Sequence, residues 1–221
     1  MGENSRQHGP DRQNDLTVVI QAGGESRRMG RSKALVPFLG EPLSTRGVRR
    51  FAPIAGQLVV TTNEPDKVAP LVAASGVPGV RLVADAYEQR GALKGLFTAL
   101  QAAQTPFVAV IAVDMAFASP DLVVAELEAL RESDADVAIP HVNDGFEPFH
   151  AVYRRSSCLS AIKDAIDHGV QRASGWFTGD TKLLEFTQEN IDRIVPAGDF
   201  FDNANTPTEL ERLEYRALAE K

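Results

Sequence analysis

Short, valine-rich apolar runs alternate with helical stretches through the first half of this chain. The runs cover residues 16–22, 58–62, 80–83 and 107–113. Strands have this nearly continuous apolar character when both faces of their sheet are buried, as in parallel sheets between layers of helices. The helical stretches cover residues 43–51, 66–74, 93–103 and 120–131. The alternation predicts right-handed crossovers and a three-layer α/β/α sandwich with a mostly parallel central sheet.

The pattern changes near residue 136. Two further strands are predicted at 137–140 and 149–153, joined by a loop at 141–145, and further helices at 156–168 and 206–219. Residues 1–15 are polar and lack a hydrophobic centre, so we expect a disordered leader there and not a secretory signal. We find no internal repeat and no linker, and residues 16–221 are therefore interpreted as one domain.

The composition is that of a globular chain and excludes several classes of protein. Apolar residues make up 43% of 221 residues, enough to bury a core. The net charge of −7 argues against binding nucleic acid or an anionic membrane, because both need basic surface. No apolar run approaches the ~20 residues needed to cross a bilayer, and a cytoplasmic location is expected. Cys158, the single cysteine, is interpreted as a buried thiol and not as a nucleophile.

A glycine-rich segment follows the first predicted strand directly. Ala22, Gly23 and Gly24 come at its carboxyl end, and Arg28 and Lys33 add positive charge nearby. Glycines let the backbone approach a phosphate, and the tips of parallel strands are where open α/β sheets bind ligands. The segment is neither a Walker A sequence nor a dinucleotide fingerprint. A triphosphate site is therefore predicted, and the alternative is a tight turn with solvated arginines.

Asp114 ends the apolar run that begins at Phe107. A carboxylate at the tip of a buried strand is well placed to hold Mg²⁺ beside a phosphate, because magnesium takes oxygen ligands from one or two carboxylates and the substrate. The alternative is a helix N-cap, but Ser119 just before Pro120 suits that role better. Asp114 is therefore predicted to be a metal ligand.

Two strings carry a resemblance to a known family. They are AGGESRRMGRSK at residues 22–33 and FLGEPL at residues 38–43, and together they resemble the opening of the molybdenum cofactor guanylyltransferases, members of the wider nucleotidyltransferase superfamily. The resemblance continues to Leu210. It implies a Rossmann-like fold in which the loop wraps the triphosphate while Lys33 and Arg28 neutralise phosphate charge.

The resemblance also bears on the metal site. The family's strand ends in Asp-Met-Pro, whereas Ala116 stands in place of the proline after Asp114. The string NANTPTEL at residues 203–210 resembles a family string that makes Asn205 the second metal ligand, with Asp202 as the alternative. Thr206 followed by Pro207 is also a helix start, and the two roles are compatible.

The base pocket is assigned by the same resemblance. It implies that Asp85 and Asn63 contact the nucleotide and that the segment from Gly91 to Gly95 shapes the pocket. A carboxylate accepting hydrogen bonds from N1–H and the 2-amino group selects guanine.

Two positions near this pocket depart from the family, and one histidine is left open. Ala92 replaces a proline and Lys94 replaces an alanine. Lys94 either reaches a phosphate or lies solvated on a helix face. His150, on a predicted strand, is either structural or faces the acceptor.

These expectations combine into one reaction. The chain is interpreted as a nucleotidyltransferase that uses Mg²⁺ to transfer GMP from GTP to the phosphate of molybdopterin, releasing pyrophosphate. The alternatives are a related enzyme that uses CTP or acts on a sugar phosphate or another small phosphate, and a non-catalytic nucleotide-binding module. Expected partners are GTP, a phosphorylated acceptor and proteins that handle the cofactor.

Overall fold

The valine-rich runs form neighbouring strands of one eight-stranded sheet. The computed structural model describes residues 12–23, 32–89, 91–195, 201 and 206–219. Within these ranges the strands are β1 (Gln13–Gln21), β2 (Pro37–Phe38), β3 (Glu41–Pro42), β4 (Ala55–Thr61), β5 (Arg81–Val83), β6 (Phe107–Ala112), β7 (Val137–Val142), β8 (Gly145–Phe146), β9 (His150–Arg154) and β10 (Leu183–Thr187). The helices are α1 (Leu43–Phe51), α2 (Pro65–Ala74), α3 (Ala92–Ala102), α4 (Pro120–Arg131), α5 (Arg155–Asp167), α6 (Gln188–Ile194) and α7 (Pro207–Ala219), and a 3₁₀ turn covers Lys33–Leu35.

The strand order of the main sheet is β10-β7-β9-β6-β1-β4-β5, with β8 paired to β7. Strands β5, β4, β1 and β6 are mutually parallel, β10 is parallel to β7, and β9 runs antiparallel to both its neighbours. β1 lies between β4 and β6, so the chain winds outward from β1 in both directions. Such a switch point is where open α/β sheets bind ligands.

Helices cover both faces of the sheet. On one face α3 and α5 pack over β1 and β6, where Leu96 and Ile162 share a buried cluster with Val19. On the other face α1, α2 and α4 pack over the alternate side chains of the same strands, among them Val18 and Ile20. The successive residues of β1 thus point to opposite, equally apolar layers, as the sequence predicted. The three-layer, mostly parallel fold is confirmed.

The first strand begins earlier than its sequence indicates. Residues 13–15 were predicted to belong to a leader, but they lie in β1, where Gln13 N donates to Ile54 O at 2.8 Å. Just before the strand, Arg12 Nε donates to Ala55 O at 2.9 Å. Polar side chains are compatible with this end of β1 because it lies at the rim of the sheet. Residues 1–11 lie outside the described residues, and the leader stays a prediction for them.

Helix starts were predictable where capping residues mark them. Ser119 accepts a hydrogen bond from Leu122 N at 3.2 Å and Pro120 is the first residue of α4, as predicted. Thr206 Oγ1 likewise accepts from Glu209 N at 3.2 Å at the start of α7. The predicted loop at 141–145 is shorter than expected, since β7 continues to Val142 and turns into β8.

Candidate active site

Four residues of the predicted site follow the carboxyl ends of parallel strands. Gly23, Asn63, Asp85 and Asp114 each lie two residues beyond the last residue of β1, β4, β5 and β6 respectively. Because these strands are parallel, their carboxyl ends share one edge of the sheet. Gly91, the N-cap of α3, lies at the same edge. The topology therefore collects residues separated by up to about ninety positions into one place.

A cleft of about 430 Å³ opens at this edge. Seven residues of the predicted site line it: Ala22, Gly23, Lys33, Asp85, Gly91, Gly95 and Asp114. Asn63 is exposed and does not line the cleft among the described residues, but its side chain donates a hydrogen bond to Asp85, which does. Gly24, Arg28, Asn205 and the alternative ligand Asp202 lie outside the described residues, so their roles stay predictions. The predicted site residues that the structure describes therefore lie together at or beside one cleft.

Other residues on the cleft wall were not foreseen as site residues. They are Gln21, Ala112, Val113 and Phe149. Gln21 could have been predicted from the sequence, because it is the polar residue that ends an apolar strand. Phe149 could not have been predicted in this way. It reaches the cleft because β9 runs antiparallel to β6, so the amino end of β9 lies beside the carboxyl end of β6.

Lys33 and Asp114 form an ion pair on the cleft wall, although 81 positions separate them. Lys33 begins the 3₁₀ turn, and Asp114 lies in the turn after β6 and is only 7% exposed. A nearly buried carboxylate needs a partner, because burial removes the water that solvates its charge. The pair therefore places a positive and a negative group side by side. This arrangement suits a charged ligand that binds together with its counter-ion.

The backbone around Asp114 is tightly held. Val113 N donates to Gln21 O at 3.1 Å, and Met115 N donates to Ala112 O at 3.1 Å. On the other side Ala112 N donates to Phe149 O at 2.9 Å. These bonds fix the segment 113–118, called the Asp114 turn below, against β1 and β9. Ala116, which stands where the resembling family has proline, is buried in this turn.

His150 lies beneath the Asp114 turn and not on the cleft. It is fully buried, and its Nε2 accepts a hydrogen bond from Ser119 N at 3.2 Å. Accepting at Nε2 places the ring proton on Nδ1. Nδ1 faces Glu126 Oε1 at 3.6 Å. The open question about His150 is thereby answered for this structure: its ring supports the start of α4, and its neighbour Phe149 faces the cleft.

Glu126 is a carboxyl group with no exposure to solvent. Among the described residues neither of its oxygens accepts a hydrogen bond, and His150 is the group beside it. Burial raises the pKa of Glu126 to about 7, and the nearby imidazole only partly offsets this. A signal was present in the sequence, because Glu126 shares the helical face of Val123 and Leu130.

Asp85 and Gly23 approach each other closely. A Cβ atom added at Gly23 would lie 3.0 Å from Asp85 Oδ2, so only glycine leaves the carboxylate undisturbed. Asn63 Nδ2 donates to the same oxygen at 2.5 Å. The other oxygen, Oδ1, is buried and has no hydrogen-bond partner among the described residues. Asp85 is thus held through one oxygen, and the second remains available to a ligand that donates.

Lys94 points away from the cleft. Its Nζ donates to Gln89 Oε1 at 3.2 Å and lies 5.4 Å from the centre of the Tyr87 ring. Of the two roles considered for Lys94, the structure supports the side chain on the helix surface. Ala92 does line the cleft, at the first turn of α3.

Cys158 is confirmed as a buried thiol. Its Sγ donates to Asp136 O at 3.2 Å, and burial raises its pKa to about 12, so the thiolate needed for nucleophilic attack is not formed near neutral pH. Over the described ranges, no three histidine, cysteine or acidic residues lie close enough together to hold a metal ion jointly. In the same ranges, no helix is long and apolar enough to span a membrane.

Fold and cleft together define a class. A three-layer sandwich with a mostly parallel sheet, in which a lysine and an aspartate pair at the switch point, suits an enzyme that positions phosphates and neutralises their charge. Residues 18–182 match the MobA-like NTP transferase domain. The chain belongs to this family.

Relatives with similar sequences extend over nearly the whole chain. A probable molybdenum cofactor guanylyltransferase from Natronomonas pharaonis is 34% identical over 205 residues, 91% of this chain and 98% of that protein. One with the same name from Natranaerobius thermophilus is 28% identical over 198 residues, 90% of this chain and 94% of that protein.

A solved structure shares the fold. The crystal structure of molybdopterin-guanine dinucleotide biosynthesis protein A from Archaeoglobus fulgidus gives a TM-score of 0.78 at 22% sequence identity. The match covers 92% of this chain and 99% of that one. At this identity the likeness shows the common fold alone.

Proposed function

We propose that this chain transfers GMP from GTP to the phosphate of molybdopterin, uses Mg²⁺ and releases pyrophosphate. The observation that carries the proposal is the Lys33–Asp114 pair, which lines the same cleft as Asp85 at the switch point of the sheet. The names of the sequence relatives supply the nucleotide and the acceptor. We place the reaction in the cytoplasm, where GTP is available.

The residues present fit a divalent metal, which MobA-like NTP transferases typically need. Asp114 offers hard oxygen atoms on the wall of the cleft, and magnesium commonly binds through one or two carboxylates together with substrate phosphates. Asp114 would hold the ion, with Asn205 as the proposed second ligand. When bound, Mg²⁺ supplies positive charge to the phosphate oxygens.

The proposed chemistry asks little covalent work of the protein. An oxygen of the acceptor phosphate attacks the α-phosphorus of GTP, one P–O bond forms, and the bond to the β-phosphate breaks to release pyrophosphate. A phosphate monoester is already largely ionised at neutral pH, so no general base is needed to activate it. Lys33 neutralises charge on the nucleotide's phosphates, and positioning supplies most of the remaining rate.

The guanine base is proposed to lie against Asp85. Its buried Oδ1 needs a donor, and guanine offers N1–H and the 2-amino group. Asn63 holds the other oxygen and so fixes the carboxylate. A nucleotide without these donors leaves the buried oxygen unpaired, which costs about 1–3 kcal/mol and supplies discrimination.

The test is pyrophosphate release with each of GTP, CTP, ATP and UTP, with Mg²⁺ and either molybdopterin or glucose 1-phosphate as acceptor. The proposal expects rapid release only with GTP and molybdopterin together. Equal or faster release with CTP would establish the cytidylyl alternative. Release with the sugar phosphate but not with molybdopterin would show that the acceptor is wrong while the nucleotide is right.

A further inference from the structure

Gln21 and Gly95 fit together at the floor of the cleft. Gln21 is the last residue of β1, and Gly95 lies in the first turns of α3. A Cβ atom added at Gly95 would overlap the Nε2 atom of Gln21. Gly95 is fully helical and needs no special backbone angle, so the close approach of this amide is the physical reason for glycine there.

The amide of Gln21 occupies a position that the strand pattern assigns to an apolar residue. Side chains alternate along β1, so Gln21 shares the face of Val19, which packs against Leu93 and Leu96 of α3. Gln21 lies two residues after Val19, where the cleft opens. The row of apolar side chains on this face of β1 therefore ends in a carboxamide. Gln21 is half-buried and lines the cleft.

That carboxamide is not engaged by the protein. Throughout the described part of the chain, no residue exchanges a hydrogen bond with the Gln21 side chain, although Gln21 O accepts from Val113 N. Because the side chain is half-buried and lines the cleft, its donor and acceptor atoms can pair with a ligand or with water there. Asp85, whose Oδ1 is buried without a hydrogen-bond partner among the described residues, lines the same cleft. Two polar side chains that can pair with a ligand therefore line the same cleft.

We propose that Gln21 is a specificity-determining residue that reads position 6 of the purine by donating from Nε2 to the O6 atom of guanine. The proposal rests on the proposed function, in which guanine occupies this cleft. Asp85 then accepts hydrogen bonds from N1–H and the 2-amino group, while Gln21 discriminates between a keto oxygen and an amino group at position 6. The two side chains divide the edge of the base between them.

The division of labour predicts opposite responses to two analogues. ITP lacks the 2-amino group but keeps O6, so its disadvantage against GTP reports on Asp85. The triphosphate of 2,6-diaminopurine riboside keeps the 2-amino group but carries an amino group at position 6. Its disadvantage therefore includes the contribution of Gln21. A glutamate at position 21 can only accept, so it favours the 6-amino group over the keto oxygen.

The experiment is calorimetric binding of the three triphosphates with Mg²⁺ to the full chain. In Gln21→Glu we expect the ratio of GTP to diaminopurine affinity to fall at least tenfold, while the GTP-to-ITP ratio stays within about threefold of the wild type. Gln101→Glu makes the same change on the exposed last turn of α3 and should alter neither ratio. An unchanged diaminopurine ratio in Gln21→Glu would overturn the assignment.

Two further variants keep the test decisive if the glutamate destabilises the chain. Gln21→Leu keeps the size of the side chain, and Gly95→Ala displaces the amide without changing residue 21. Both variants should lower the ratio of GTP to diaminopurine affinity and leave the ratio of GTP to ITP affinity unchanged. Failure of the proposed function is a separate result: wild type would then bind CTP or ATP as well as GTP. Preference for GTP with no effect of Gln21 variants rejects only the further inference.

Discussion

At the scale of single residues, Asp114 is the group whose loss has the clearest chemical consequence. Asp114→Ala removes the carboxylate proposed to hold the metal and breaks the ion pair with Lys33. We expect turnover to fall by about 10²–10⁴-fold, equivalent to several kcal/mol of transition-state stabilisation. The measurement is pyrophosphate release at saturating GTP, with circular dichroism to confirm folding. Asp180→Ala, an exposed aspartate, is the control, and a rate for Asp114→Ala within tenfold of wild type would contradict the metal assignment.

The two lysines near the nucleotide site should behave differently. Lys33 lines the cleft, whereas Lys94 contacts Gln89 and Tyr87 outside it. Lys33→Ala should therefore lower kcat/KM for GTP by at least about a hundredfold, because a cation facing phosphate in a partly buried site is worth about 2–3 kcal/mol. Lys94→Ala should change kcat/KM by less than about threefold. Equal effects of the two variants would mean that Lys94 reaches a phosphate after all.

Gly23 provides a steric probe of the base pocket. Its added Cβ would lie 3.0 Å from Asp85 Oδ2, so Gly23→Ala should displace that carboxylate and weaken GTP binding about tenfold. The expected loss is smaller for ITP, which lacks one of the groups that Asp85 is proposed to contact. Gly179 has open space around its Cβ position, and Gly179→Ala is the matched control. The affinities for both nucleotides would be measured by calorimetry. Equal losses of affinity for GTP and ITP would show that Asp85 does not recognise the base.

At the scale of elements, α4 and β9 meet through a buried pair that makes stability depend on pH. The folded pKa of Glu126 is about 7 against an ordinary value of 4.5, so the folded protein holds the extra proton between these values. Its contribution to the free energy of unfolding is therefore present below about pH 4.5, falls as the pH rises and is lost above about pH 7. The full change is about 3 kcal/mol.

Glu126→Gln tests this dependence directly. The amide has the size of the carboxylate but does not titrate, so the variant should gain stability relative to wild type as the pH rises from about 4.5 to 7. Urea unfolding at a series of pH values measures the difference. Glu128→Gln changes an exposed residue on the same helix and should track wild type. A constant difference between Glu126→Gln and wild type across this range would show that Glu126 titrates normally.

Elements with strong local signals were predictable from sequence, and those formed by distant pairing were not. Helix α1 begins and ends where the pattern placed it, and the cap at Ser119 marks α4. β10 was missed because it is an edge strand in which only Phe186 is buried, so no apolar run announces it. The reversed direction of β9 depends on pairing with β6 and β7, which nothing local encodes. The same reversal explains why Phe149 was absent from the predicted site.

At the scale of the whole molecule, the carboxyl-terminal helix contacts two segments that lie much earlier in the chain. Leu213 of α7 lies in the main buried cluster. Glu214 accepts a hydrogen bond from Leu39 N at 2.6 Å, beside the β2–β3 hairpin, and Arg216 lies 4.4 Å from the ring centre of Phe117 in the Asp114 turn. Helix α7 thus contacts both the segment that follows Lys33 and the segment that follows Asp114. The predicted ligand Asn205 stands two positions before this helix in the sequence and lies outside the described residues.

In the proposed function, where Asp114 holds the metal and Lys33 contacts the triphosphate, the Lys33–Asp114 pair makes the free energies of binding metal and nucleotide interdependent. An incoming cation must compete with Lys33 for Asp114, while an incoming triphosphate must compete with Asp114 for Lys33. Either ligand alone separates Lys33 from Asp114, whereas both ligands together supply each of the two groups with a new partner at once. By thermodynamic reciprocity each ligand then raises the affinity of the other by the same factor. We expect Mg²⁺ to bind at least about tenfold more tightly in the presence of a non-hydrolysable GTP analogue, and Lys33→Ala to abolish most of that cooperativity, as calorimetric titration in both orders would measure. An enzyme built this way would hold its metal most tightly when the nucleotide is bound, and its nucleotide most tightly when the metal is bound.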